Sequence, residues 1–310
     1  MNVIVALPPL TAATAVTSWR LDVTTTVLAV VIVVGYWWGR RRSTVPVGRG
    51  VVFSVVGVGI WLLTADSALG VYDDELFWVR AAQIVLLLMV VPFGLALGMP
   101  LTVVLGSLPA AAGTRFEAAL HGHMARFLTH PATMSAALLV LPWLIYLTGW
   151  YRALLTHGPV DVLTRLLIVL VGWCYFTSRL HLDPVPRHFS PGLSLIITVV
   201  EAIGDGLLGI VLWQGTLVAL DHYLALDRMW GPSPRTDQTI GAGVLWVFGD
   251  VVGLPFLLTL LRRFTLDDRA RAQRVDEQLA SAPTSTVDGG EPQGGLWWEQ
   301  DPQLRDRFRR

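Results

Sequence analysis

Lysine is absent from this chain of 310 residues, so all 23 basic side chains are arginines. Cysteine occurs once, as Cys174, which excludes an intrachain disulfide and any CxxC metal-binding pair. Charged residues make up only 15% of the sequence, against 53% hydrophobic residues. With a mean hydropathy of +0.56, this composition argues against a water-soluble domain of such length. The net charge of zero gives no reason to expect a nucleic acid as partner.

Seven apolar stretches account for the high hydrophobic content. They are Thr25–Trp38, Val51–Leu69, Trp78–Gly98, Met134–Leu147, Leu163–Phe176, Leu193–Val218 and Ile240–Leu261. A bilayer core of about 30 Å requires about 20 mostly apolar helical residues, and four of the stretches come close to that length or exceed it. The first, fourth and fifth do so only when flanking residues are included. The sequence therefore predicts an all-α polytopic membrane bundle of about seven transmembrane helices.

Arginines concentrate in every second gap between these stretches. The first gap holds residues 40–42 and Arg49, and the last stretch ends in residues 262–263, whereas the second gap holds the acidic residues 73–75. Since basic residues flank the cytoplasmic ends of membrane spans, this pattern predicts an outside N-terminus and a cytoplasmic C-terminus. The lysine-free composition, rich in Val, Ala, Gly and Arg, indicates a bacterial protein. We therefore expect a multi-pass protein of the bacterial plasma membrane, surrounded by the lipid bilayer.

Three segments follow from the same pattern. Residues 1–24 form an outer N-terminal segment, residues 25–263 a seven-helix membrane domain, and residues 264–310 a cytoplasmic charged helix with a flexible tail. The tail contains a Ser-, Thr-, Pro- and Gly-rich stretch with too little apolar surface to fold. It closes on Trp297-Trp298 and several arginines, which suit either an anionic membrane surface, a partner protein or plain solvation.

Ionisable residues inside membrane helices are costly and are candidates for function by default. Glu201 and Asp205 stand four residues apart and share one helical face, where they can hold a cation, share a proton or pair with Arg165. The alternative partner of Arg165 is Asp161 on the same helix. Asp250 lies in the middle of the seventh stretch, where it can bond to another helix or line a polar cavity.

Other polar groups have simpler explanations. Arg80, at the outer end of the third stretch, is expected to extend toward the surface or to pair with the acidic residues 73–75. The segment His121-Gly122-His123-Met124 has metal-binding residue types, but it lies on a predicted loop and is weak as a motif. No Ser-His-Asp arrangement, phosphate-binding loop or dinucleotide fingerprint occurs in a supporting context. The sequence therefore predicts a protein that is not an enzyme, and we assign no metal ligands.

A motif near the last stretch is similar to one in a known family. The segment Asp237-Gln238-Thr239-Ile240-Gly241-Ala242-Gly243-Val244-Leu245-Trp246 resembles the Asp-Gln-x-x-Gly-[Gly/Ala]-x-x-[Leu/Met]-Trp signature of the CtaG-like cytochrome c oxidase assembly factors. In the third stretch, a leucine- and methionine-rich run followed by Leu97-Gly98-Met99-Pro100 also resembles that family. On this resemblance Gly241, Trp246, Gly98 and Pro100 are structural motif residues.

The resemblance implies a plasma-membrane protein that assists maturation of haem–copper oxidase, with copper delivery as the associated chemistry. Its expected partners are oxidase subunits or other assembly factors. Asp237 and Gln238 are expected at the outer mouth of the seventh span, where they can hydrogen-bond across helices.

The family's histidines are missing from this chain. The positions that align with them carry other residues, namely Arg80, Ile84, Tyr146, Asp161 and Arg165. Copper binding through imidazole is therefore not carried over. The sequence predicts a divergent member of the family without those ligands.

Three functions remain open at this stage. The first is an assembly factor that binds oxidase subunits or another factor without holding metal. The second is an ion-coupled carrier that uses Glu201, Asp205, Arg165 and Asp250 in an internal cavity. The third, a Cu(I) binder, would use the thioethers of Met89, Met99, Met124 and Met134. A water-accessible cavity at the carboxylates favours transport, whereas carboxylates bound by arginine in a dry bundle favour a scaffold.

Overall fold

The computed structural model is helical throughout the residues that it describes. These are residues 7–123, 127, 130–180, 182–184 and 191–248, and, beyond them, 251, 258, 262, 265, 269 and 272–277. The helices are α1 Ala12–Thr17, α2 Val23–Arg40, α3 Val47–Asp66, α4 Ala68–Val71, α5 Phe77–Leu97, α6 Pro100–Ser107, α7 Ala110–Leu120, α8 Pro131–Leu147, α9 Trp150–Thr156, α10 Gly158–Leu180, α11 Pro191–Gln214, α12 Leu220–Ala225 and α13 Pro234–Gly243. The chain forms two compact units, Met1–Leu261 and Arg262–Arg310.

The length and composition of the helices suit a membrane. Within the described part of the chain, four helices are long and apolar enough to cross a bilayer, namely α2, α3, α5 and α10. A fifth span results if α8 and α9, which meet at a bend of 70°, count as one. The all-helical prediction is confirmed, whereas the count of seven spans, their orientation and the three segment boundaries stay predictions.

Helix α5 lies at the centre of the larger unit. In the apolar 18-residue segment of α5, 72% of the residues are buried, compared with 17% in that of α2 and 44% in that of α10. It packs against α3, α10 and α13, while α8 packs against α10 and α11. Residues on α5 therefore reach more neighbouring helices than residues on any peripheral span, which makes it the natural place for a polar cluster.

A proline shapes the middle of α5. Pro92 has no N–H group and cannot donate to the carbonyl of Leu88, so the α-helical ladder fails at this point. Residues Leu86–Val90 are π-helical, and the Val91 N–H donates to the Leu86 carbonyl. The freed Leu88 carbonyl lies against Gly172 of α10, where a side chain would collide with it. The bulge and the glycine together allow α5 and α10 to approach closely.

The Leu97-Gly98-Met99-Pro100 motif forms the turn from α5 to α6. Met99 adopts a left-handed conformation, with φ of 55°, and Pro100 occupies the first turn of α6. Gly98 leaves room for the ring of Phe53, since a Cβ atom on Gly98 would lie 2.6 Å from Phe53 Cδ2. The Tyr36 hydroxyl donates to the Gly98 carbonyl at 2.7 Å. The motif thus has a structural explanation at the junction of α2, α3 and α6.

The contact between α3 and α5 provides a test of this packing. A Cβ atom on Gly94 would lie 2.7 Å from the carbonyl carbon of Val56, so Gly94→Ala must displace backbone. We expect the free energy of unfolding to fall by about 1–3 kcal/mol, measured by denaturant titration in detergent micelles. The matched control is Gly113→Ala, because nothing lies within 4 Å of a Cβ atom there. Equal stability of the two variants would contradict the close contact.

Candidate functional site: a buried network of arginines and carboxylates

Arg80 lies at the start of α5 and is only 2% exposed. Its guanidinium forms ion pairs with Asp73 at 3.3 Å, Asp74 at 2.5 Å and Asp161 at 2.7 Å. It also donates to the Gln83 side chain at 3.1 Å. Removing such a charge from water is expensive, and several charge-assisted hydrogen bonds are needed to offset that cost. The side chain therefore joins α5 to α10 and to the segment before α5, rather than extending to the surface.

A second arginine extends the network to the first helix. Arg165 pairs with Asp161 one turn before it on α10, and with Asp22 at 3.3 Å. Asp22 precedes α2, and its backbone N–H donates to Asp66 Oδ1 at 2.8 Å. The network thus connects α2, α3, α5 and α10 at one end of the bundle, which we call the Asp73 end.

Asp73 is the most deeply buried carboxylate of the network, with 2% of the residue exposed. Burial raises the pKa of Asp73 to about 6, while the Arg80 guanidinium opposes this increase. Gln83 donates to Asp73 Oδ2 at 3.0 Å and to the Thr64 carbonyl at 2.8 Å. Asp73 therefore changes its protonation state within the range of mildly acidic pH, next to a permanently charged arginine.

Aromatic rings cover this network. Phe77 packs against Tyr146 and Tyr151, with ring centroids 5.5 Å and 5.4 Å apart, and the Tyr151 and Tyr223 hydroxyls share a hydrogen bond of 2.7 Å. The Tyr146 hydroxyl is buried and has no hydrogen-bond partner among the described residues. The rings exclude water from one side of Arg80 and so strengthen its electrostatic interactions.

The network includes the positions that the resemblance aligned with histidines. Arg80, Asp161 and Arg165 are bonded to one another in series, and Tyr146 packs on Phe77 in the turn of α5 that carries Arg80. Arginine has no lone pair for a metal ion, because all its nitrogens act as donors. In the described parts of the chain, no group of three or more His, Cys, Asp or Glu side chains is arranged to hold a metal. The described residues at these aligned positions do not fit a copper ion.

Asp237 and Gln238 each bind the end of another helix. Asp237 accepts hydrogen bonds from the backbone N–H groups of Phe77 and Trp78, at 3.1 Å and 3.0 Å, and α5 has no capping side chain of its own. Gln238 donates to the Leu212 carbonyl at 2.7 Å, near the end of α11, and accepts from the Val218 N–H at 2.7 Å. The two side chains therefore form hydrogen bonds with backbone N–H and C=O groups at helix ends, which lack partners within their own helices.

The other two signature residues pack at close helix contacts. A Cβ atom on Gly241 would lie 2.7 Å from Phe77 Cε1, so a larger residue would separate α13 from α5. Trp246 lies over the glycines of α11, because Cβ atoms on Gly206 and Gly209 would contact its side chain. The signature thus packs α13 against α5, and it packs Trp246, in the π-helical segment Val244–Phe248 that follows α13, against α11.

The structure corrects the expected partner of Glu201. Glu201 pairs with Arg179 at 2.9 Å and accepts from the Tyr175 hydroxyl at 2.9 Å, whereas Arg165 pairs with Asp161 and Asp22. The pairing of Arg165 with Glu201 is therefore wrong, because Arg165 lies near the opposite end of α10. Asp205, one turn beyond Glu201, interacts electrostatically with Tyr175. Asp250 lies outside the described residues.

Sequence reasoning missed two buried charged side chains. Arg179 lies beyond the fifth apolar stretch, which ends at Phe176, but α10 continues to Leu180 and buries this side chain to 3% exposure. Asp183 was not a candidate, yet it accepts from the Thr102 N–H at 2.9 Å and from its hydroxyl at 2.7 Å, capping α6. The four-residue spacing of Tyr175 and Arg179 was the available signal for a helix that runs on.

The importance of Arg80 can be tested by Arg80→Gln, which leaves Asp73 and part of Asp161 without a buried counter-charge. We expect a loss of about 3–5 kcal/mol in the free energy of unfolding, measured in detergent micelles. The control is Arg152→Gln, since Arg152 pairs with Asp221 at the surface with both side chains more than half exposed. This control should cost less than about 1 kcal/mol. Comparable losses would show that the Arg80 network is not a major source of stability.

The capping role of Asp237 makes a separate prediction. Asp237→Ala removes the acceptor for two backbone N–H groups and also the buried counter-charge of Arg228, so it should lower the free energy of unfolding by about 3–5 kcal/mol. Asp237→Asn keeps one acceptor oxygen and should lose less. Amide hydrogen exchange at residues 77–79 should accelerate in the alanine variant, whereas the exposed control Asp221→Ala should leave it unchanged. Unchanged exchange in both would contradict the cap.

Comparisons with known proteins find mycobacterial relatives of this chain. The chain is 27% identical over 251 residues to uncharacterized proteins of Mycobacterium bovis and Mycobacterium tuberculosis, and 26% identical over 249 residues to one of Mycobacterium leprae. These alignments cover 77–78% of this chain but only 37–38% of the relatives, so the chain spans less than two fifths of their length. No solved structure matches it significantly.

A family model covers most of the chain. It matches residues 30–266, a range that begins in α2 and includes Arg80 with its three carboxylates, the Asp237 cap and the Arg179–Glu201 pair. The matched range exceeds half of the sequence. The chain belongs to the family of cytochrome c oxidase caa3 assembly factors.

Proposed function

We propose that this protein is an integral protein of the bacterial plasma membrane that assists the assembly of a haem–copper oxidase. The observation that carries the proposal is the family match over residues 30–266, which includes nearly all of the apolar helices. Assembly factors of this family are described by their role in oxidase maturation, so the coarse assignment follows from membership. The finer parts of the proposal, which concern placement, metal and partners, rest on the chemistry of the side chains.

In the proposed placement the chain crosses the membrane about seven times, with its N-terminus outside and its C-terminus in the cytoplasm. Arginines at residues 40–42 and 49 then face the cytoplasm, in agreement with the distribution of basic residues in membrane proteins. The Asp73 end, with its acidic side chains, faces outward. This is the side on which α9 and α12 also lie, as connections between longer helices.

The protein acts, in this proposal, by binding oxidase subunits or other assembly factors rather than by holding copper through histidines. Arg80, Asp161 and Arg165 occupy three of the positions that the resemblance assigned to imidazoles, and they are joined by ion pairs. The carboxylates are bound by arginine instead of a metal ion, and these ion pairs stabilise the arrangement of the helices. The role is therefore that of a non-enzymatic scaffold whose outer surface is held in shape by the network.

The alternative of an ion-coupled carrier receives no support from the comparisons. Its proposed carboxylate Glu201 is bound by Arg179 and Tyr175 and is 7% exposed. A carboxylate held in this way has two of its acceptor sites occupied by protein donors. This arrangement favours a structural part for Glu201 over cation transport.

The decisive experiment is deletion of the gene in its native host, followed by measurement of oxidase activity and of the haem spectrum in isolated membranes. We expect oxidase activity to fall, and expression of the wild-type chain or of Arg152→Gln to restore it. Arg80→Gln should not restore it, because the network that shapes the bundle is lost.

A second arm adds copper to the growth medium of the deletion strain. If the protein binds subunits without carrying metal, added copper leaves the deficiency in place. Restoration by copper would instead favour delivery of the metal, including through thioethers such as those of Met89, Met99 and Met134. Normal oxidase activity and spectra in the deletion strain would overturn the assembly function altogether.

A further inference from the structure

An apolar groove runs along the side of the bundle between α2 and α10. Its volume is about 270 Å³, and its walls are apolar side chains: Ile32, Phe53, Trp61, Leu95, Pro100, Leu166, Val169, Leu170 and Trp173. Phe53 and Trp61 form its floor and are 3% and 4% exposed. At the rim, Leu170 is 53% exposed. The groove therefore opens sideways, toward the surroundings of the helices.

The two ends of the groove differ in chemistry. At the Asp73 end, the ion pair between Arg165 and Asp22 joins α10 to the start of α2. From Trp61 the floor descends eight residues along α3 to Phe53, a rise of no more than about 12 Å because Phe53–Gly59 is π-helical. This length is at most about two fifths of a hydrocarbon core of about 30 Å. A single extended alkyl chain fits such a space, whereas a partner helix, about 10 Å across, does not.

Two arginines lie beyond the Phe53 end of the groove. Arg49 precedes Phe53 by one helical turn and donates to the Leu97 carbonyl at 3.0 Å. Arg40 lies beside it, because a Cβ atom on Gly50 would be 3.3 Å from Arg40 Cδ. The Arg40 guanidinium sits over Trp37 at 4.7 Å, and its Nε is buried without a hydrogen-bond partner.

Neither arginine has an ion pair with a carboxylate of the described residues. Asp183 lies near Arg49, but its oxygens accept hydrogen bonds from Leu101 and Thr102. Arg40, Arg49 and Asp183 all interact electrostatically with Tyr36, so two guanidiniums face one carboxylate and a net positive charge remains to attract an anion such as phosphate. The apolar groove and the cationic site meet at the same end of α3.

We propose that the groove binds one acyl chain of an anionic phospholipid, whose phosphate is held by Arg40 and Arg49. The proposal rests on the membrane placement given under Proposed function, since the acyl chain enters the groove from the bilayer. The lipid fills the space between α2 and α10 and neutralises the two arginines at the cytoplasmic surface. It thereby connects the peripheral helix α2 to the rest of the bundle.

The test uses the full chain, purified in a mild detergent and incubated with equal amounts of phosphatidylglycerol and phosphatidylcholine. Native mass spectrometry then counts the retained lipids. We expect one phosphatidylglycerol to be retained in preference. Arg49→Gln should weaken retention about fivefold, because one basic side chain near a lipid surface contributes about 1 kcal/mol. Arg49→Lys keeps the charge and should retain the lipid, as should the distant control Arg152→Gln.

The groove is tested by a matched pair of variants on α10. Leu170→Trp places a large ring at the rim of the groove and should displace the lipid, whereas Leu163→Trp, at a position 67% exposed on the same helix and outside the groove, should not. Both positions are more than half exposed, so neither change disturbs the core. Equal retention by the two variants would overturn the groove as the acyl site.

Other outcomes also decide the question. Equal retention of both lipids by the wild-type chain would overturn the role of Arg40 and Arg49. Displacement of the lipid by glycerol phosphate alone would reduce the site to a phosphate site and overturn the proposal. Carbonate extraction of the membranes beforehand checks the membrane placement separately. Since lipid retention does not depend on oxidase activity, a failure here is distinguishable from a failure of the assembly function.

Discussion

The buried charge of Arg80 is the constraint on which the larger helical unit depends. An arginine that is 2% exposed must find carboxylates nearby, and Asp73, Asp74 and Asp161 provide them from two separate segments. Asp161 also pairs with Arg165, and Arg165 pairs with Asp22 at the start of α2. These ion pairs link α2 to the residues around Arg80. The relative positions of four helices at the Asp73 end therefore follow from satisfying one guanidinium. An apolar residue at this position would leave the helices held by less specific van der Waals contacts.

Two further polar contacts extend this logic to the remaining helices. Asp237 caps α5 from α13, and Arg179 joins α10 to Glu201 of α11. Each contact fixes two helices relative to each other. Apolar packing alone would let these helices slide or rotate, because helices in an apolar solvent have no hydrophobic drive to associate. Glycines such as Gly172 and Gly241 then bring the backbones close enough for these side chains to meet. The signature Asp-Gln pair is explained by this architecture without any metal.

At positions 80, 161 and 165, where the family resemblance implies histidines, this chain carries charged residues. Their side chains form ion pairs with one another. These ion pairs support the proposal of a function carried by surfaces rather than by a metal centre. The mycobacterial relatives are more than twice as long as this chain, so in them the shared helices are accompanied by further sequence.

The sequence by itself determined the helical class, because its apolar runs have the length of helices, which satisfy their backbone hydrogen bonds within one segment. It also indicated the Asp237–Trp246 segment as a family signature and Asp161 and Arg165 as an ion pair on one helix, because both depend only on local spacing. Only the tertiary structure decided that Arg80 bonds Asp161, 81 residues away, and that Glu201 takes Arg179 rather than Arg165. Such pairings depend on the rotation and depth of each helix, which are set by packing between distant segments and not by the periodicity of any one of them.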